Sequence, residues 1–168
     1  MNIIKPIPLG LMLLFFISAN LQARLTNEQS FGKNCLVLSY IDDATSLKSS
    51  ILTCFDSSRN ISERSFQLSC DNRNVTVMVD AGVNAGGAKM TEVVFLFGKG
   101  QGFKGTWNYD GNGGVLSINH KNHKIFLKGI SSASKLEYQI GSHKGELELD
   151  GVTEASSEYI RRCADLNV

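Results

Sequence analysis

The chain lacks the motifs by which most chemistry announces itself. It has no C-x-x-C pair, so its four cysteines do not read as a zinc or redox set. No G-x-S-x-G elbow exposes a serine nucleophile, and no His-Glu pair stands at zinc-protease spacing. Charge of one sign is not in excess: 17 basic residues face 16 acidic ones. Nothing in that balance selects nucleic acid or an anionic membrane as partner. Internal repeats are absent, as is any linker long enough to divide the chain after its leader.

The leader itself is Met1-Asn2-Ile3-Ile4-Lys5, an apolar run from Ile7 to Ile17 broken by Pro8 and Gly10, and then Ser18 to Ala23. A positive start, a short apolar core and a small residue at the end predict a secretory signal peptide over 1–23, with Ala19 as a second cleavage point. The apolar run is short for a bilayer span, so no stable anchor is expected after cleavage. Loss of Lys5 leaves equal numbers of acids and bases. Residues 24–168 are then one domain's worth of chain, enough to bury roughly two-thirds of the unfolded surface.

Cys35, Cys54, Cys70 and Cys163 all lie in this exported part. An even count in an exported chain reads as two disulfides, with three possible pairings. Cys35–Cys54 and Cys70–Cys163 are favoured, since each joins plausible neighbours in an antiparallel fold. A periplasmic or secreted location follows.

The clearest local signal is Phe66 to Asp80. Phe66, Leu68 and Cys70 alternate with polar residues, and Val75, Val77 and Val79 alternate again after Asp71 to Asn74. This predicts a hairpin with Cys70 on its inward side. Further strands are expected at Cys35–Tyr40, Leu47–Phe55, Glu92–Phe97, Phe103–Tyr109, Val115–Ile118, Leu136–Ile140 and around Leu147 to Leu149. Arg24 to Lys33 reads as a loose polar lead-in. Glu92–Phe97, apolar on both faces, reads as central or covered. A short helix is expected from His120 to Gly129, capped by Asn119, with Ile125, Phe126 and Ile130 on one face. A closing helix is expected from Val152 to Cys163, capped by Thr153, with Arg161 and Arg162 in the last turn. Val152, Ala155, Tyr159 and Cys163 share its inward face. The fold class is therefore mostly β: an antiparallel β-sandwich of about eight strands with a short inserted helix and a C-terminal helix, disulfide-bonded.

Three pieces of this pattern resemble a known family, the periplasmic accessory proteins of type VI secretion clusters (VasI/TagO-like). They are Phe66 to Asp80; Glu92 to Phe97 followed by Trp107 and Asp110-Gly111; and Phe126-Leu127 through Leu136 to Ile140 and Leu147 to Gly151, ending in a helix with Cys163. The chain departs from the family pattern in lacking a tryptophan-bearing N-terminal strand and in having Ser69 before Cys70, where an arginine is usual. The resemblance covers scaffold positions. It implies a disulfide-bonded periplasmic sandwich, no catalytic residues, and a role beside a secretion or envelope complex with protein partners.

Several groups carry a second reading. His120 and His123, three apart, share a helix face and suit a metal, but no acid or cysteine stands beside them, so exposed loop histidines are the expectation. Gly98 to Phe103 imitates a phosphate loop but lies between strands, where a nucleotide loop would open a helix. Asp42-Asp43 suits calcium but reads as a solvated turn. Asn60-Ile61-Ser62 and Asn74-Val75-Thr76 have the form of glycosylation sequons, which carry no meaning in a bacterial cell. Trp107 shares strand parity with Phe103 and Tyr109, which reads first as core. It is also, with Gly86, Gly87, Gly100 and Gly102 of the two glycine-rich loops, the place for a ligand or partner surface. No cofactor, metal or catalytic residue is assigned. The leading expectation is a non-enzymatic exported accessory protein. The alternative is an exported binding module, an enzyme inhibitor or small-ligand carrier.

Overall fold

A computed structural model describes residues 23–56, 64–71, 74–82, 90–98, 101–109, 114–117 and 119–164. Ten strands and two helices follow in order: β1 (Ala23–Phe31), β2 (Cys35–Asp42), β3 (Lys48–Phe55), β4 (Ser65–Asp71), β5 (Val75–Asp80), β6 (Met90–Phe97), β7 (Gln101–Tyr109), β8 (Gly114–Ser117), α1 (His120–Ile130), β9 (Lys135–Ile140), β10 (His143–Glu148) and α2 (Val152–Ala164). The strands form one continuous antiparallel sheet in the order β1-β2-β3-β4-β5-β8-β7-β6-β9-β10. The mostly-β class with an inserted and a closing helix is as expected. Ten strands replace about eight.

Part of the surplus is β1. Its sequence alternates no apolar residues, and all of it up to Ser30 is exposed, so only pairing with β2 makes it a strand. The expected lead-in is thus an edge strand. A register shift between Leu25 and Asn27 puts a bulge in it, a usual way of blunting such an edge. β10 also begins earlier than the leucine pattern indicates: the turn before it is Gly141-Ser142 alone, and His143 to Gly145 already pair with β9.

Alternation sets a single inner face. Cross-strand partners make a buried apolar row from Val37 through Leu52 and Leu68 to Val77. In β6, Val93, Phe95 and Phe97 point in. Val94 and Leu96 point out, and Leu96 is exposed. β6 is therefore internal to the sheet, as expected, but its outer side is uncovered. The two ends of the sheet meet although eight strands lie between them. The Lys33 N–H donates to Asp150 Oδ2 at 3.1 Å, and Asn34 Nδ2 donates to the Glu148 carbonyl at 3.4 Å. The sheet must coil for the β1–β2 turn to reach the end of β10, and its natural twist allows this.

Both helices pack on that inner face. The Asn119 side chain caps α1 by accepting from the Lys121 N–H at 2.8 Å, as its sequence position predicts. Phe126 and Ile130 are buried against the sheet; Ile125 is only half-buried. α2 runs over β2 and β3 and is bolted there by the Cys70–Cys163 disulfide. The second disulfide joins Cys35 and Cys54, which stand opposite each other on β2 and β3. Both pairings are the favoured ones. Thr153 does not cap α2: it lies within the first turn and its carbonyl accepts from Ser157 Oγ.

Candidate functional site

A polar part of the interior lies where the inner rows of β1, β2 and β3 pass under the last turn of α2. Moving along β2 from Cys35 and Val37, the next inward residue is Ser39. Along β3 from Cys54 and Leu52 it is Ser50, opposite Ser39. Apolar packing thus gives way to hydroxyls at one end of the sheet. Arg162 of α2 descends onto them. It is buried, with 6% of its surface exposed, and its five N–H groups are matched by five acceptors. Nε donates to Glu158 Oε1 at 2.7 Å. Nη1 donates to the Val37 carbonyl at 3.3 Å and Ser39 Oγ at 3.0 Å. Nη2 donates to Asn27 Oδ1 at 3.3 Å and Gln29 Oε1 at 3.4 Å.

The sequence places Arg162 at the helix end, where a cation answers the helix dipole. In the folded chain it also ties α2 to both β1 and β2. Glu158 takes a two-point contact from Arg161 as well, at 2.6 and 2.9 Å. The Arg161 and Arg162 guanidiniums hold the Glu158 carboxyl down to about 2. Beside this anchor opens a cleft of about 320 Å³ whose walls include Ser39, Ser50, Lys48, Thr26, Arg161 and Arg162. Its signal in the sequence is a pair of serines continuing the inward parity of two cysteine-bearing strands.

A second polar cluster lies where the sheet closes on itself. Asp56 and Arg64, flanking the β3–β4 connection, are 3.9 Å apart, with Asp56 largely buried. They line a cleft of about 480 Å³ with Glu137, Lys144, Glu146 and Glu148. Tyr138 adjoins them, its hydroxyl pushed up by burial.

Trp107 is in the core, with 2% of its surface exposed. Its ring centroid is 4.9 Å from Phe95, 5.2 Å from Phe126 and 5.6 Å from Phe103. A ligand or partner surface at Trp107 is therefore corrected: α1 delivers Phe126 onto the indole and covers it. Gly102 is exposed on β7, opposite Leu96. Gly86, Gly87 and Gly100 lie outside the described residues, as does Asn60. Gln101 to Phe103 already belong to β7, where a phosphate loop would need a helix; Lys99, like Gly100, lies outside the described residues.

His123 also differs from expectation. It is buried in α1, and its Nε2 lies 2.8 Å from the Tyr159 hydroxyl of α2. Burial, with His120 and Lys124 adding to it, lowers its pKa to about 4. His120 is exposed. Asp42 Oδ1 accepts from the N–H groups of Ala44 and Thr45, both at 2.9 Å, and its pKa is lowered in consequence. Among the described residues no group of three or more His, Cys, Asp or Glu is placed to hold a metal, and no helix is long and apolar enough to cross a membrane. All described cysteines are disulfide-bonded.

Comparison with known protein families, with curated proteins and with solved structures gives no match for this chain.

Proposed function

We propose that this is an exported, non-enzymatic accessory protein of the bacterial periplasm, associated through protein partners with a type VI secretion or envelope complex. The observation that carries the reading is the Cys70–Cys163 link between the β4–β5 hairpin and α2. It joins the first and last of the three pieces over which the sequence resembles the type VI accessory family. It also suits an oxidising compartment, where a bond between buried cysteines 93 positions apart forms and persists. The leader at 1–23 supplies the route there.

For partner contact the chain offers the part of β1 beyond its bulge, Asn27 to Ser30, which is paired on one side among the described residues and exposed, a form used in strand addition. The alternative, an exported inhibitor or small-ligand carrier using the glycine-rich loops, loses the pocket it would need beside Trp107, which Phe126 covers; Gly86, Gly87 and Gly100 of those loops lie outside the described residues.

The test is crosslinking and capture of the tagged, processed protein from its native cells. Recovery of secretion or envelope components is the expected result. Recovery of background proteins alone, or of one soluble enzyme in equal amount, overturns the reading.

A further inference from the structure

The cleft beside Arg162 has more donors than the protein uses. Ser39 Oγ and Ser50 Oγ are 3.2 Å apart and bond to each other. Ser39 Oγ also accepts from Arg162 Nη1. The two hydroxyls carry two hydrogens, and the bond between them consumes one. Whichever serine donates, the other keeps a spare O–H at the cleft wall, and among the described residues nothing accepts it. Ser50 is 3% exposed and Ser39 is half-buried, so the unused donor sits on the inner side of the sheet at the cleft wall. Inward-facing hydroxyls of this kind are normally satisfied.

The charge around this donor points the same way. Lys48, two residues before Ser50 and on the same strand face, lines the cleft and has no ion-pair partner among the described residues. Arg161 and Arg162 line the other side, and Glu158 is the carboxylate they share. Three cations therefore stand against one anion. The C-terminal end of α2 opposes an incoming anion with about half a charge, which leaves the balance positive. No carboxylate is among the cleft's walls. The volume, about 320 Å³, is at the small end of the range for ligand sites.

We propose that this cleft binds a compact oxyanion group, a phosphate or a carboxylate, which accepts from the spare Ser39–Ser50 hydroxyl and from the Lys48 ammonium. Arg162 supplies field and holds the serines; its own donors are already taken. The site lies on the inner side of β1–β3 and owes nothing to the partner reading above.

The test uses the processed, oxidised protein at low ionic strength. Inorganic phosphate and succinate are titrated separately and followed by backbone and side-chain NMR shifts. Saturable shifts centred on Lys48, Ser50 and Arg162 are expected with at least one probe, and the tighter probe identifies the group. Lys48→Met, an exposed position that leaves the fold alone, should weaken binding about tenfold, the loss of one charge-assisted hydrogen bond. Ser50→Ala should weaken it comparably. Lys128→Met, an exposed lysine on α1, should leave it unchanged. Absence of a saturable response to both probes overturns the proposal, as does equal weakening by Lys48→Met and Lys128→Met, which would mean diffuse attraction.

Discussion

His123 Nε2 and the Tyr159 hydroxyl, 2.8 Å apart, join the two helices in the interior of the sheet. The imidazole is neutral there at ordinary pH, because burial lowers its pKa from 6.5 to about 4. In the unfolded chain it takes up a proton near pH 6.5. Between those values the unfolded state binds more protons than the folded one, so stability falls as pH falls through that window. The loss totals about 3 kcal/mol at pH 4. Urea unfolding at pH 7, 5.5 and 4.5 should show this decline, and His123→Gln should flatten it while lowering stability at pH 7. An unchanged slope in the variant would show that another group carries the effect.

The turns containing Gly32 and Gly151 dock backbone against backbone. Both residues have positive φ, +56° and +87°. A β-carbon on Gly32 would lie 2.6 Å from the Asp150 carbonyl carbon, and one on Gly151 would overlap the Phe31 carbonyl. Gly98 is the contrast: φ is +57° but nothing lies within 4 Å of its β-carbon site. Gly98→Ala should therefore cost about 1 kcal/mol, the left-handed penalty alone. Gly32→Ala and Gly151→Ala should each cost more than twice that, since backbone must move and the contact that holds the coiled sheet together opens. Thermal unfolding of the three variants side by side decides it; equal losses would refute the docking account.

The contrast between these residues explains which features are legible in the sequence. Phe66, Leu68, Val77 and Val79 declare their strands because burial of one face imposes a period of two. The same logic at helical spacing places Cys163 inward, and its bond to Cys70 follows. β1 is not legible because its order comes from pairing with β2, and no residue before Phe31 buries a side chain to mark it. His123 reads as exposed because a polar residue on an apolar helix face looks solvated until its partner is known. Here that partner is Tyr159, 36 positions away. The serine pair beneath Arg162 is likewise hidden: parity alone shows that Ser39 and Ser50 face inward, and only the register makes them neighbours.

Arg162 answers five acceptors with one planar group, so its replacement is not graded by charge. Arg162→Ala removes the donor to the Val37 carbonyl, Ser39, Asn27 and Gln29 and leaves Glu158 to Arg161 alone, at a cost of about 3 kcal/mol. Arg162→Lys keeps the charge but has three donors for five acceptors, and should cost about 1–3 kcal/mol. The Glu158 side of the contact adds a second acid-sensitive window. Its carboxyl titrates near 4.5 unfolded and about 2 folded, so its stabilisation is present above the higher value and is lost as pH falls toward the lower. Denaturant midpoints for Arg162→Lys within error of the unsubstituted protein would show that the guanidinium geometry contributes nothing.

The two disulfides differ in what they constrain. Cys35 and Cys54 are neighbours across one strand pair and close a short loop, 19 positions apart, in a hairpin that its own backbone bonds already hold. Cys70 and Cys163 are 93 positions apart and fix α2 to β4. In the chain-entropy account the first is worth about 3 kcal/mol and the second nearly 5. Removing the second also frees the helix that carries Tyr159 and Arg162. The Cys70→Ala/Cys163→Ala pair should therefore lose more stability than Cys35→Ala/Cys54→Ala, and should lose the pH dependence assigned to His123 along with it. Non-reducing peptide mapping should recover the 35–54 and 70–163 peptides as linked pairs. A Cys35–Cys163 peptide would overturn the docking of α2 and everything that depends on it.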